Sequence, residues 1–267
     1  MNNLVDGRSL SKLITEEVLS LVGGCSTPPK LVVVTCDPNF ETRKFLDLKQ
    51  KKAESLGVVM NTITLPKETT TEELIDLIKH QSTKVDGVIV QLPLPKNIAT
   101  DKVLQAIPKH QDVDRFDYLG EETDILPPVV GAIDEISKYH NVEWRDKKVV
   151  VFGQGRLVGL PALLYARAKG ARVEIVTENT INVSLVTKDA DIVILGVGKP
   201  NLLTSDMVKT GVVVFDAGAS EDGGLLVGDA SHELASKASL LTPVPGGIGP
   251  LTVILLFRNL LKLTARQ

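Results

Sequence analysis

Short apolar runs alternate with amphipathic stretches along most of this chain. Val88-Ile-Val90 is hydrophobic on both faces, which suits a parallel strand covered by helices on either side. Apolar runs place strands over Lys30–Cys36, Val58–Leu65, Val85–Val90, Lys148–Phe152, Ala171–Val176, Asp191–Leu195, Val212–Phe215 and Ser239–Leu241. Helical periodicity falls between them, over Ser9–Val22, Thr42–Leu56, Thr71–Gln81, Val130–Tyr139, Leu157–Ala168 and Ile248–Leu263. This alternation is the signature of βαβ units and predicts an α/β protein built on parallel strands.

Near Gln111–Pro128 the composition changes. Asp112, Asp114, Asp117, Glu121, Glu122 and Asp124 crowd a stretch that ends in Pro127-Pro128. It reads as a loop between two α/β lobes, with most of its acidic members solvated. The full chain of 267 residues is long enough for two ordinary domains with ample core. Hydrophobic content of 43% with 24% charged residues excludes a disordered chain. A net charge of -3 without a long basic block argues against nucleic acid or a membrane surface as the main partner. The start, Met1-Asn-Asn-Leu-Val-Asp6, lacks the pattern of a signal peptide, and no apolar run is long enough to span a bilayer. Cys25 and Cys36 have no ligand-like spacing, so a reduced, cytoplasmic protein is the simplest expectation.

Candidate chemistry clusters at strand ends. Gly87–Val90 runs into Gln91, and Pro93 and Pro95 stiffen the exit. Ligands of open α/β sheets sit beyond the carboxyl ends of strands, where Gln91 would meet one; read plainly, it is a solvated turn residue. Val149–Gly159 is a strand, a glycine turn and a helix start. Gly153 permits the tight turn, Gly155 lets a phosphate approach the backbone, and Gly159 lets helix and strand pack. The spacing G-x-G-x-x-x-G is one residue longer than the usual dinucleotide fingerprint. Glu178, just beyond the next strand, fits the acidic residue that binds ribose hydroxyls and repels a 2′-phosphate; it reads equally as a surface glutamate.

In the helix Thr42–Leu56, Phe45, Leu46, Leu48, Ala53 and Leu56 form one apolar arc. Lys49 lies near its middle and Lys52 within it. A lysine on a buried face must pair, snorkel or lose its proton, and a neutral amine can act as a general base. Near the C-terminus, Thr242–Thr252 combines stiff prolines with side-chain-free glycines, which suits a ligand lying against the main chain.

Several segments together resemble one family. They are Val85–Pro95, Asp112-Val-Asp114, Gly196-Val-Gly-Lys-Pro200, Val227-Gly-Asp229 and Pro243–Thr252. The chain resembles the bifunctional methylenetetrahydrofolate dehydrogenase/methenyltetrahydrofolate cyclohydrolases over essentially its whole length. The resemblance implies an N-terminal α/β catalytic lobe, a Rossmann-type dinucleotide-binding lobe, and a C-terminal helix returning to the first lobe. In this chain those would be residues 1–120 completed by 250–267, and residues 121–249.

It also implies a homodimer, tetrahydrofolate derivatives as substrates, NADP or NAD as cofactor, and no metal. Lys49 would be the general base, with Gln91 helping to set its position and protonation. Asp114 would anchor the pterin, and Phe45, Pro245, Gly246 and Gly247 would contact substrate. Gly153, Gln154, Gly155, Arg156, Gly159, Glu178 and Gly198 would contact cofactor.

Departures from the family pattern sharpen this reading. Its Y-x-x-x-K becomes Phe45-Leu-Asp-Leu-Lys49, which removes a hydroxyl, and its P-C-T-P-x-G becomes Leu126–Gly131. Its Asp-Val-Asp-Gly becomes Asp112-Val-Asp-Arg115, and its frequent G-R-S becomes Gly153-Gln-Gly155. Glu178 stands where serine is frequent. The last two changes lean toward NAD, while Arg156 supplies a cation that keeps NADP open. Loss of one activity, or a non-catalytic folate- or dinucleotide-binding paralogue, are the alternative outcomes.

Overall fold

The computed structural model describes residues 3–266, the side chains of residues 40 and 41 excepted. The chain divides into two compact units. One comprises Leu13–Asp117 and the residues from Val253 on; the other comprises the N-terminal residues through Lys12 together with Tyr118–Thr252. The division falls within the first and last helices, α1 (Gly7–Gly23) and α8 (Ile248–Thr264).

The first unit holds a parallel sheet of order β2-β1-β3, from β1 (Lys30–Cys36), β2 (Val59–Leu65) and β3 (Gly87–Val90). β1 is central, and every residue after Lys30 is buried. Its Val32, Val34 and Cys36 form a core cluster with Val88 and Val90 of β3 and with Leu74 and Ile78 of α3 (Thr71–Ser82). Burying each such aliphatic side chain contributes roughly 1.5–3 kcal/mol. β3 begins at glycine because a Cβ there would come within 2.5 Å of Leu260 Cδ1 and 2.9 Å of Val113 Cγ1.

Helix α2 (Phe40–Leu56) starts where Asn39 accepts a hydrogen bond from the Thr42 N–H at 2.8 Å, and it stops at Gly57, φ 74°. Its buried stripe is Thr42, Leu46, Ala53 and Leu56, with half-buried Lys49 between them. Phe45 and Leu48, expected in the apolar arc, are instead exposed at 39% and 53%. Each precedes a stripe position by one residue, a rotation of about 100° away from the sheet.

The second unit holds a five-stranded parallel sheet of order β10-β7-β6-β4-β5. Its strands are β4 (Lys148–Phe152), β5 (Arg172–Val176), β6 (Ile192–Leu195), β7 (Val213–Asp216) and β10 (Leu240–Leu241). Helices α5 (Pro128–Tyr139) and α6 (Gly159–Ala168) belong to this unit; α6 begins two residues later than expected because the glycine turn extends through Val158. All eight expected strands are present. Elements not anticipated include α4 (Thr100–Gln105), α7 (Val183–Thr187) and the two strands of an antiparallel hairpin, β8 (Ser220–Asp222) and β9 (Leu225–Val227). No helix among the described residues is long and apolar enough to cross a membrane. The apolar α8 instead buries Leu251, Ile254, Leu255, Phe257, Leu260 and Leu261.

Candidate active site

Gln91 directly follows β3, and its N–H donates to the Val34 carbonyl at 2.8 Å, extending the ladder by one bond. Its backbone is therefore held by the sheet rather than left in a solvated turn. Gln91 Oε1 accepts a hydrogen bond from Lys49 Nζ at 2.8 Å, while its Nε2 donates to the Leu92 carbonyl at 3.0 Å. The second bond orients the amide so that its oxygen faces the lysine. Burial pushes the Lys49 amine below its usual range, against the attraction of Asp114. Burial likewise pushes Asp114 up, against the attraction of Lys49. Lys49, Gln91 and Asp114 are thus one electrostatic unit. Lys52 is not part of it; its amine lies 3.5 Å from Thr15 Oγ1.

The loop carrying Asp114 is held from three sides. Asp112 accepts from the N–H groups of Arg115 at 3.1 Å and Phe116 at 2.7 Å, and it forms an isolated bridge with Val88. Asn259 of α8 donates to the Val113 carbonyl at 3.0 Å. Gln111 donates to the carbonyls of Ser82 at 2.8 Å and Val85 at 2.6 Å. The acidic stretch is therefore solvated only in its second half: Asp112 is 4% exposed, whereas Glu121, Glu122 and Asp124 are exposed. Arg115 takes a left-handed φ of 55°, which costs a side-chain-bearing residue roughly 1 kcal/mol. Its guanidinium lies 3.5 Å from Asp117, adding positive charge to a loop of three aspartates.

Sequence reasoning missed Asp112 and Asn259 as supports. A buried asparagine on so apolar a helix as α8 was the available signal.

Asp112 carries a pH dependence. Burial, then the Asp114 charge, pushes its carboxyl up to about 7; burial pushes Asp216 in the other unit up to about 6. Both hold protons in the folded chain that the unfolded chain releases above about 4. These two groups therefore make stability fall as pH rises from about 4 to about 7. Thermal midpoints of Asp112→Asn should vary less steeply over that window than those of the unaltered chain. An identical slope would show that Asp112 is ionised throughout.

In the second unit, Gly153 has φ 77°, and its N–H donates to the Val176 carbonyl at 2.7 Å. The turn after β4 therefore leaves the sheet beside the end of β5. A Cβ on Gly159 would come within 2.3 Å of the Gly153 carbonyl oxygen, so glycine is required where α6 meets the turn. A Cβ on Gly155 would meet nothing within 4 Å, leaving its backbone open to a ligand. Gln154, Gly155 and Arg156 are exposed, as is Glu178, two residues past β5. The turn holding Glu178 is closed by reciprocal bonds between Thr177 and Thr180. Gly198, φ 75°, lies in the loop after β6.

Pro245, Gly246 and Gly247 belong to this second unit. The Gly246 carbonyl accepts from the Gly7 N–H at 3.0 Å, and Gly247 leaves no room for a Cβ beside the Pro243 carbonyl. No group of three His, Cys, Asp or Glu among the described residues could hold a metal ion.

A parallel sheet whose chain leaves β4 toward β5 on one side and β6 on the other defines a dinucleotide-binding class of α/β protein. The hydrogen-bonded pair of Lys49 and Gln91 lies in the other unit. The chain belongs to the tetrahydrofolate dehydrogenase/cyclohydrolase family: its residues 5–114 match the catalytic domain and residues 127–267 the NAD(P)-binding domain. It is 38% identical to the bifunctional protein FolD of Helicobacter hepaticus, covering 97% of this chain and 95% of that one. It is 36% identical to FolD of Aquifex aeolicus, over 99% and 96%. Among solved structures it is similar to the FolD methylenetetrahydrofolate dehydrogenase/cyclohydrolase of Campylobacter jejuni, with TM-score 0.93, 34% identity and 98% coverage of both chains. The Trypanosoma brucei enzyme, solved with NADP and an inhibitor, matches with TM-score 0.92 and 29% identity over 98% and 97%.

Proposed function

We propose that this chain oxidises 5,10-methylenetetrahydrofolate to the methenyl form with a nicotinamide dinucleotide and hydrolyses that product to 10-formyltetrahydrofolate. The observation that carries the reading is the 2.8 Å bond between Lys49 Nζ and Gln91 Oε1, with an amine that burial biases toward its neutral form. A neutral amine can take a proton from the water that adds to the methenyl carbon. Gln91 holds that amine without adding charge, so it fixes position without restoring basicity. Asp114 would anchor the amino edge of the pterin through charge-assisted hydrogen bonds. Phe45, one turn before Lys49 and 39% exposed, would offer a ring for the folate to stack on. A dinucleotide held by the turn 153–159 would supply a hydride acceptor.

Residues 1–120 with 250–267 would form the folate-binding domain, and residues 121–249 the dinucleotide-binding domain. Separate assays of the two steps test the proposal. A chain that neither reduces NAD or NADP with methylenetetrahydrofolate nor hydrolyses the methenyl compound would refute it. Phe45 favours one further reading, in which hydration outlasts oxidation or the reverse, and the same two assays resolve it.

A cytoplasmic homodimer is the assembly that fits this reading. Its support is the β8–β9 hairpin, whose Leu225 and Leu226 are 70% and 46% exposed on a two-stranded ribbon with unpaired edges. A monomeric mass by light scattering would count against it.

A further inference from the structure

Asp229 is fully buried, yet among the described residues the hydrogen bonds to its carboxylate come from backbone N–H groups. Its Oδ2 accepts from the N–H groups of Val197 at 2.7 Å and Gly198 at 3.1 Å, and its Oδ1 from Lys199 at 2.7 Å. Three successive backbone N–H groups form an anion-binding nest. Here the chain fills the nest with its own carboxylate.

The nest lies in the loop that follows β6. The crevice between the carboxyl ends of β4 and β6 is the switch point of this sheet, where the chain turns outward in opposite directions. One wall of that crevice is the glycine turn 153–159 and the other is the loop 196–199. The two walls touch: a Cβ on Gly196 would come within 2.3 Å of Val158 Cγ1, and a Cβ on Gly153 within 3.4 Å of Val197 Cγ2.

Asp229 is itself locked in place. A Cβ on Gly218 would come within 2.3 Å of its carboxyl carbon. In a reciprocal arrangement, Gly228 has no room for a Cβ beside the Asp216 carboxylate. Asp216 in turn accepts from the N–H groups of Gly218 and Ala230, both at 2.8 Å.

We infer that Asp229 is a positioning residue for the dinucleotide, setting the β6 wall of the crevice by clamping residues 197–199 from behind. The inference rests on the reading that places the dinucleotide at the 153–159 turn. It also revises the part played by Gly198. Its N–H is spent on Asp229, so the loop shapes the crevice while the phosphates fall to the glycine turn.

The test is Asp229→Asn, which keeps the shape but turns a donor amide toward a backbone N–H. A second variant, Gly218→Ala, keeps the charge and displaces the carboxylate. Dissociation constants for NAD and NADP are measured by calorimetry without folate, and cyclohydrolase rates are measured without dinucleotide. Both variants should weaken both dinucleotides on the order of tenfold or more, the scale of losing charged hydrogen bonds. The KM for dinucleotide should rise with kcat less affected, and cyclohydrolase rates should stay within about twofold.

Unchanged dissociation constants would overturn the inference. So would a parallel loss of cyclohydrolase activity in both variants, which would mark Asp229 as a general support of the fold. If the unaltered chain binds neither dinucleotide, the cofactor-site reading itself fails, and the inference with it.

Discussion

Lys49→Met should lower the cyclohydrolase rate by about 10²–10⁴-fold, the usual contribution of a positioned general base. Methionine preserves the length and apolar stem of lysine, so α2 keeps its stripe of Leu46, Ala53 and Leu56. What is lost is the amine bonded to Gln91 at 2.8 Å. The pH profile separates a base from a mere spacer. Because burial holds the amine below its usual range, the hydration rate of the unaltered chain should rise with pH through that lowered value. The methionine variant should lack this rise. Asp114→Asn removes the charge that favours the ammonium, so the rise should move to lower pH even as folate binding weakens. A cyclohydrolase rate unchanged in Lys49→Met would show that another group is the base.

The inner strands β1, β4, β6 and β7, and β3 beside β1, were legible because their apolar runs are buried on both faces in parallel sheets. Val88–Val90 and Ile192–Leu195 needed no context to be recognised. The β8–β9 hairpin was not, since each strand has three residues and little of it is buried. α4 and α7, at six and five residues, are too short to show a helical period. Within the site, Lys49 and Gln91 were visible as polar residues interrupting apolar patterns. Asn259 and Asp229 were harder to read because their partners are backbone groups brought close only by folding, whereas Asp112 bonds the N–H groups three and four residues on. Asn259 reaches a carbonyl 146 positions away, and Asp229 clamps N–H groups 30 to 32 positions away. Periodicity locates faces, but it cannot say which backbone atoms a buried polar residue must satisfy.

Catalytic efficiency should be higher with NAD than with NADP, and restoring the family's residues in Gln154→Arg with Glu178→Ser should shift that ratio toward NADP by on the order of tenfold or more. β4 and β5 are neighbours in register, Phe152 beside Val176, so their exits share one edge of the sheet. Glu178 leaves that edge two residues past β5, exposed, and Gln154 lies exposed in the turn after β4. A carboxylate there accepts hydrogen bonds from ribose hydroxyls and repels the nearly doubly charged 2′-phosphate. A glutamine at 154 offers no compensating cation. Arg156 is the opposing charge, also exposed on the turn, and Arg156→Ala measures its weight. If Glu178 governs the choice, removing Arg156 should leave the NAD preference intact or strengthen it. An unaltered chain that prefers NADP severalfold, and loses that preference in Arg156→Ala, would assign the 2′-phosphate to Arg156 and refute the reading of Glu178.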